Sequence, residues 1–323
     1  MTDPKAGEAV SANAPIVRHP YLASPPFTPM TVAEAAAYDQ LLRSAIAEDV
    51  GAGDITTEAI VSEAAMATAD VVIRAAGVVA GLPVALRAFT LLDARVQFDL
   101  KAEDGHRVPA GTTVARITGP ARAILTAERL ALNLLGRLSG VATITRSYVD
   151  EIRGFAAKIT DTRKTTPGLR ALERYAVRAG GGVNHRFGLH DAMLIKDNHL
   201  AAFGGVADAI TRGREAARPG VVVEVECDTL AQVADALAAG ADAILLDNMD
   251  EATIAKAVKA AAGRAITEAS GNVNLRTVRG IASTGVDVIS VGALTHSAGS
   301  LDVALDFVLR LSKPNDVVER KAM

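Results

Sequence analysis

The sequence predicts an α/β protein, an N-terminal α+β domain followed by a barrel of repeating βα units, and three observations carry that prediction. After residue 150, short β-branched runs alternate with alanine-rich helical segments, in the order KITDT, AMLIKD, VVVEVEC, AILLDN, AITEAS and DVISVG. Each run ends in a polar side chain. Arg163, Lys196, Glu226, Asp247, Glu268 and Ser290 follow one another at intervals of 33, 30, 21, 21 and 22 residues, the length of a strand, a helix and two loops. Before residue 120 the apolar runs are joined by turn-rich connections instead, which is antiparallel character. Polar residues at six successive strand ends favour a closed barrel, because an open doubly wound sheet gathers its ligands at one switch point. Six strands are read this way, and a seventh or eighth has room around 180–186 or beyond Val291.

The elements follow in order. A helix is expected from Thr31 through Ala47, with Thr31 as N-cap and Glu34 completing a capping box. AEDVGAGDITTEAI reads as a Gly-rich loop. Strands are expected over 69–74 and 78–80, a helix over 81–92 after the break at Gly77, and strands over 94–100 and 113–118 joined by EDGHRVPAG. A helix over 121–138, with Leu125, Leu132 and Leu135 on its apolar face, carries the chain toward the second domain. The expected division is a flexible Pro-rich tail over 1–30, an N-terminal domain over 31–140, the barrel over 141–297, and a C-terminal helix over 298–323 that packs back on the first domain.

Composition narrows the function. Half of the 323 residues are apolar, enough for a sizeable core. The formal net charge of −3 gives no reason to expect nucleic acid or membrane as a partner. A single cysteine, Cys227, excludes an internal disulfide and a thiolate metal cage, and points to the cytoplasm. The first thirty residues hold six prolines and no apolar run of signal length, and no stretch reaches the roughly 18 apolar residues of a membrane span.

Against that balance, residues 158–199 carry eight Lys or Arg and four Asp or Glu, a local excess of positive charge that calls for an anion. Arg163 with Lys164, His185 with Arg186, and Lys196 fall where strands give way to loops, the place where barrel enzymes keep their active sites. Side chains two apart on a strand share a face, so Glu224 with Glu226, Leu194 with Lys196 and Leu245 with Asp247 bring cations and carboxylates to one pocket. The glycines at 180–182, Ser270-Gly271-Asn272 and Val291-Gly292-Ala293 suit close approach of a bound group, the last two as phosphate loops. His296 and Ser297 are nearby. Glu226 and Asp247 on adjacent strands suit Mg²⁺ held largely through substrate and water, and no Cys or His cluster has zinc spacing. Plainer readings stand beside these: Arg163 and Lys164 as a solvated pair, Lys196 bound to Asp197, Glu226 and Asp247 as internal ion pairs with these cations, His185 as structural, and the glycine runs as turns.

At this point the chain resembles the quinolinate phosphoribosyltransferase family, also called carboxylating nicotinate-nucleotide pyrophosphorylase. The likeness runs through AEDVGAGDITTEAI, LTAERLALNLLGRLSGVAT, ITDTRKTTPGLRALERYAVRAGGGVNHRFGLHDAMLIKDNH, VEVECDTL, ILLDNM, EASGN and GVDVISVGALTHS. It implies an N-terminal α/β sandwich and a seven-stranded TIM-like barrel, in a homodimer where one subunit's N-terminal domain caps the other's barrel. It also implies the reaction: quinolinate and phosphoribosyl pyrophosphate give nicotinate mononucleotide, pyrophosphate and CO₂ with Mg²⁺, a step of de novo NAD biosynthesis. By the same likeness the quinolinate carboxylates are held by Arg129 from the partner subunit, by Thr162, Arg163 and Lys164 in DTRK, by His185 and Arg186, and by Lys196. Glu226 and Asp247 match the acids near ribose and metal, and Ser270, Gly271, Asn272, Val291, Gly292 and Ala293 the phosphate side. Lys164 or Lys196 stabilises or protonates the carbanion-like centre left by decarboxylation. Thr267 and Cys227 depart from the family pattern. Competing readings are a paralogous barrel phosphoribosyltransferase with another substrate, a Schiff-base aldolase using Lys164 or Lys196, and a barrel that only senses a phosphorylated metabolite.

Overall fold

The structure is a computed structural model and describes residues 26–308. The chain opens with the expected capping exchange: the Thr31 backbone N–H donates to Glu34 at 2.7 Å and the Glu34 N–H to the Thr31 hydroxyl at 3.2 Å. The segment behind it is a 3₁₀ turn, Glu34–Tyr38, followed by an α-helix, Asp39–Val50, in place of one continuous helix. The Gly-rich loop is shorter than its sequence suggested, because Asp54 accepts from the Thr57 N–H at 3.0 Å and caps a helix over Ile55–Ile60.

Strands β1 (Met66–Ile73), β3 (Gln97–Leu100) and β5 (Thr112–Pro120) form an antiparallel sheet, and a hairpin-like pair, β2 (Gly77–Val78) with β4 (Arg107–Val108), sits beside it. The helix Leu82–Leu92 packs against the 31-residue helix Ala121–Glu151. That long helix runs well past the expected end at 138, so the domain boundary expected at 140 falls inside a rigid element. Gly140 lies in its middle for a packing reason: a Cβ there would sit 1.9 Å from the Gly299 carbonyl oxygen.

The parallel strands appear where the β-branched runs predict them. They are β6 (Lys158–Thr160), β7 (Met193–Ile195), β8 (Val223–Cys227), β9 (Ala243–Asp247), β10 (Ile266–Ser270) and β11 (Val288–Ser290). They pair in the order β6-β11-β10-β9-β8-β7, so the first strand lies beside the last. Among the described residues the sheet has six strands; Val183 adds one isolated parallel bridge to Thr160, at one of the two places the sequence left for a further strand. Helices pack against the sheet, and the middle of β8, β9 and β10 is buried throughout. Thr267, unusual in such a strand, is satisfied by Asp287, whose carboxylate accepts from its N–H at 2.8 Å and its hydroxyl at 2.7 Å. Cys227 is buried in the same core.

Past β11 the chain returns to the N-terminal sheet as strand β12 (Val303–Val308), antiparallel to β1, where a helix was expected. The alternation in VALDFV fits a strand with one face on the core; residues 309–323, like most of the expected tail, lie outside the described residues. Tyr175 ties the two units together, its hydroxyl donating at 2.7 Å to buried Asp104, which also accepts from the Gly81 and Leu82 N–H groups. No described helix is long and apolar enough to cross a membrane.

Candidate active site

The carboxyl ends of the parallel strands open on one cavity of about 630 Å³. Thr162, Arg163, Lys164, His185, Arg186, Lys196, Glu226, Asp247, Ser270, Gly271, Asn272, Val291, Gly292 and Ala293 all line it. Leu194 and Leu245 line it beside their expected face-mates Lys196 and Asp247, and Glu268 and Ser290 join them, but Glu224, expected beside Glu226, is wholly buried and does not. Arg129 does not. It projects from the long helix into a separate cavity of about 310 Å³ with Asp49, Asp54 and Thr126, its side chain 68 % exposed.

One flank of the cavity is cationic. Arg163 and Lys164 are exposed on the loop after β6, and neither is in an ion pair among the described residues. Buried charge braces this loop. Thr166 donates its N–H and hydroxyl to Glu173 at 3.0 and 2.8 Å, and Arg137 from the long helix donates to Glu173 at 2.7 Å. The same guanidinium donates to the carbonyls of Thr295 and Ala298, and the Thr295 hydroxyl donates to the Lys164 carbonyl at 2.7 Å. Glu173 is wholly buried, so this ion pair joins three chain segments out of water.

A second brace shapes residues 184–187. Asp161, also wholly buried, accepts from the His185 N–H at 2.8 Å and the Asn184 amide at 2.5 Å. Arg174 donates to the carbonyls of His185 and Arg186 at 2.7 and 3.1 Å. Burial pushes the Asp161 carboxyl up to about 6, although Arg174, the His185 N–H and Asn184 all pull it down.

In the floor His185 and Glu268 meet Glu224, which lies wholly buried below it. His185 Nε2 is 3.4 Å from Glu224 and 3.3 Å from Glu268, and Nδ1 accepts the Arg186 N–H at 2.7 Å. Burial disfavours a charged His185, but Glu268 and Glu224 outweigh it and hold the imidazole above its ordinary value. Burial, then the charge of Glu268, pushes Glu224 up. Their ligand atoms lie within 4.8 Å of one another. Whether the ring is charged, as its acidic neighbours favour, or neutral with Nδ1 as the acceptor, the hydrogen on Nε2 remains, so the ring meets the carboxylates as a donor and offers no lone pair there to a metal.

The opposite flank carries acids and backbone. Glu226 pairs with Lys196 at 3.3 Å, so Lys196 reaches across to β8 and not to its neighbour Asp197. Asp247 is pushed up by burial and by Asp228, and accepts from the Asn248 amide at 2.6 Å. Asn248 and Asn272 both take positive φ, 53° and 54°, with the Asn272 amide donating to Asn248 at 3.1 Å. Between them Gly271 has φ +88°, and a Cβ there would lie 2.1 Å from Asn248 Oδ1. A side chain there would be strained by the positive φ and would have to displace the Asn248 amide.

The sequence reading passed over Asp161, Arg174, Arg137, Glu173 and Asn248. Glu173 left a signal: it shares the buried side of RALERYAVRA with Leu172, Ala176 and Val177, where an unpaired acid is costly. Arg137 left none, because a helical arginine is ordinary until its partner is known.

Comparisons with known proteins agree along the chain. Residues 54–139 match the family model described as quinolinate phosphoribosyl transferase, N-terminal domain, and residues 141–306 the model of its C-terminal domain. The probable nicotinate-nucleotide pyrophosphorylase [carboxylating] of Bacillus subtilis is 46 % identical over 270 residues, covering 84 % of this chain and 93 % of its own. The Mycobacterium leprae protein, nicotinate-nucleotide pyrophosphorylase [carboxylating], is 48 % identical over 273 residues, covering 82 % and 95 %. The crystal structure of NadC from Streptococcus pyogenes superposes with a TM-score of 0.83 at 44 % identity, covering 87 % of this chain and all of that one.

Proposed function

Because the chain belongs to the quinolinate phosphoribosyl transferase family, we propose that it joins quinolinate to phosphoribosyl pyrophosphate, releasing pyrophosphate and CO₂ and leaving nicotinate mononucleotide for NAD biosynthesis. One observation carries the reading beyond kinship: unpaired Arg163 and Lys164 face, across a single cavity, an acid pair and loops shaped for phosphate. Quinolinate has two adjacent carboxylates, which suit the guanidinium forks of Arg163 and Arg186. Backbone at Ser270–Asn272 and Val291–Ala293 suits the ribose phosphate.

The ring nitrogen attacks the anomeric carbon as the bond to pyrophosphate breaks. Glu226 and Asp247 favour the positive charge that develops on the ribose. The pyridinium so formed withdraws the electron pair left at C2 when CO₂ departs, and Lys164 or Lys196 supplies the proton that replaces it. Glu226 and Asp247 are hard oxygen donors lining the same cavity on neighbouring strands, so they fit Mg²⁺ held mainly through substrate and water. The ion would neutralise pyrophosphate charge.

The same reading makes the parallel sheet a seven-stranded TIM-like barrel, with the Val183 segment as the remaining member. It also makes the active unit a homodimer, since Arg129 stands outside the cavity of its own chain and completes a carboxylate site only on a second copy. A Schiff-base aldolase fits less well, because the Lys196 amine is taken up in an ion pair with Glu226.

Purified protein incubated with quinolinate, phosphoribosyl pyrophosphate and Mg²⁺ is expected to yield nicotinate mononucleotide; a folded protein that yields none sinks the proposal. Arg129→Ala mixed with Lys196→Ala is expected to regain activity that neither has alone. Failure to regain it removes the shared site.

A further inference from the structure

The family resemblance places His185 among the groups that hold the substrate carboxylates, but its surroundings fit another task. We infer that His185 is a positioning residue, clamped by Glu224 and Glu268, and that what it sets in place is Arg186. The inference rests on the proposed quinolinate site and deepens it.

An imidazole has two in-plane nitrogens and no other polar direction. Nδ1 of His185 accepts the Arg186 N–H at 2.7 Å, and Nε2 faces Glu268 at 3.3 Å and Glu224 at 3.4 Å. Both are committed to protein. A carboxylate arriving in the cavity would meet only the carbon edge of the ring. Turning the ring to greet it would leave two buried carboxylates side by side without the N–H between them. What faces the buried oxygens of Glu224 is His185 Nε2 at 3.4 Å and, beyond it, the charge of Arg186. Leaving such a pair with the charge of Arg186 alone to offset it is unfavourable, so the ring is held where it is.

Arg186 is fixed from three directions, one of them His185. Its N–H goes to His185, its carbonyl accepts from Arg174, and its Nη1 donates to the Ala192 carbonyl at 3.2 Å. A long cationic side chain that is mostly buried beside a substrate pocket gains affinity from such preorganisation, because little rotamer freedom remains to be lost on binding. Glu224 and Glu268 thus act on the substrate at two removes, through His185 and then Arg186.

The test uses the full chain with its histidine ring nitrogens labelled with ¹⁵N, observed by NMR with and without phthalate. Phthalate carries the two adjacent carboxylates but no ring nitrogen, so it binds without reacting. The expected result is a proton on Nε2 of His185, with the same ring protonation, in both states. A change of tautomer, or a second ring proton, when phthalate binds overturns the inference while leaving the quinolinate site standing. Absence of phthalate binding to folded protein overturns both. In kinetics, His185→Phe and Glu268→Met are each expected to raise the quinolinate KM about tenfold, the loss of roughly one charge-assisted hydrogen bond at Arg186, with the phosphoribosyl pyrophosphate KM nearly unchanged. The double variant is expected to be no worse than the poorer single one. Losses that multiply would mean independent roles and defeat the inference; if Glu268→Met does not fold, the spectrum of the unaltered chain decides.

Discussion

The two flanks of the cavity are built by different means. On the cationic flank the loops after β6 and around 184–187 are held by buried side-chain charge, Glu173 with Arg137 and Asp161 with Arg174. On the phosphate flank the turns after β9 and β10 are held by backbone, through positive φ at Asn248, Gly271 and Asn272 and an amide ladder between the two asparagines. The difference follows from what each must present. Long cations need their stems anchored and their heads left unpaired, and a buried counter-ion one layer down achieves that without neutralising the head. Phosphate is met by N–H groups, and those are aimed by φ and ψ.

The largest expected effect that would separate the flanks is Glu173→Ala. It leaves Arg137 without its partner in a site largely closed to water, and about 3–5 kcal/mol of stability is expected to go, read by urea unfolding. A loss below about 1 kcal/mol would mean that the brace is ornamental.

Next is Asp161→Asn, which probes the second brace through pH. The folded carboxyl is raised to about 6 from an ordinary 3.8, chiefly by burial, so between those values the folded state holds more protons than the unfolded one. Its contribution is therefore fully present below about pH 4 and is lost as pH rises through about 6. The shift corresponds to about 3 kcal/mol. The stability of the unaltered protein relative to Asp161→Asn is expected to fall by that order between pH 4 and pH 7. A flat difference contradicts the raised carboxyl.

Smallest is Gly271→Ala on the other flank. The strained turn and the contact with Asn248 are expected to cost about 1–2 kcal/mol locally. This appears as a several-fold rise in the KM for phosphoribosyl pyrophosphate with the quinolinate KM unchanged. A rise in both would erase the distinction between the flanks.

Much of this was legible beforehand, and the exceptions share a cause. The six parallel strands were readable because β-branched runs buried on both faces leave a strong local signal, and the lining residues because side chains two apart share a face. The end of the long helix was missed because nothing local distinguishes 138 from 151: no proline interrupts the run, and Gly136 and Gly140 are there for the close passage of residues 299–301. Strand β12 was missed because six residues, apolar but for Asp306, carry either period until a partner strand is known.

By itself, then, the sequence determined the repeating βα order, the family, and the gathering of Arg163, Lys164, Arg186, Lys196, Glu226 and Asp247 at strand ends, since these follow from short-range periodicity. Only the tertiary structure decided which charges stay unpaired for a ligand and which are spent on protein. Arg163 and Arg174 look alike in the chain, yet one lines the cavity unpaired and the other is consumed by Asp161 and two carbonyls. The partners of Arg174 lie up to 13 residues away and that of Arg137 lies 36 away, and an ion pair across such distances exists only once the chain has folded.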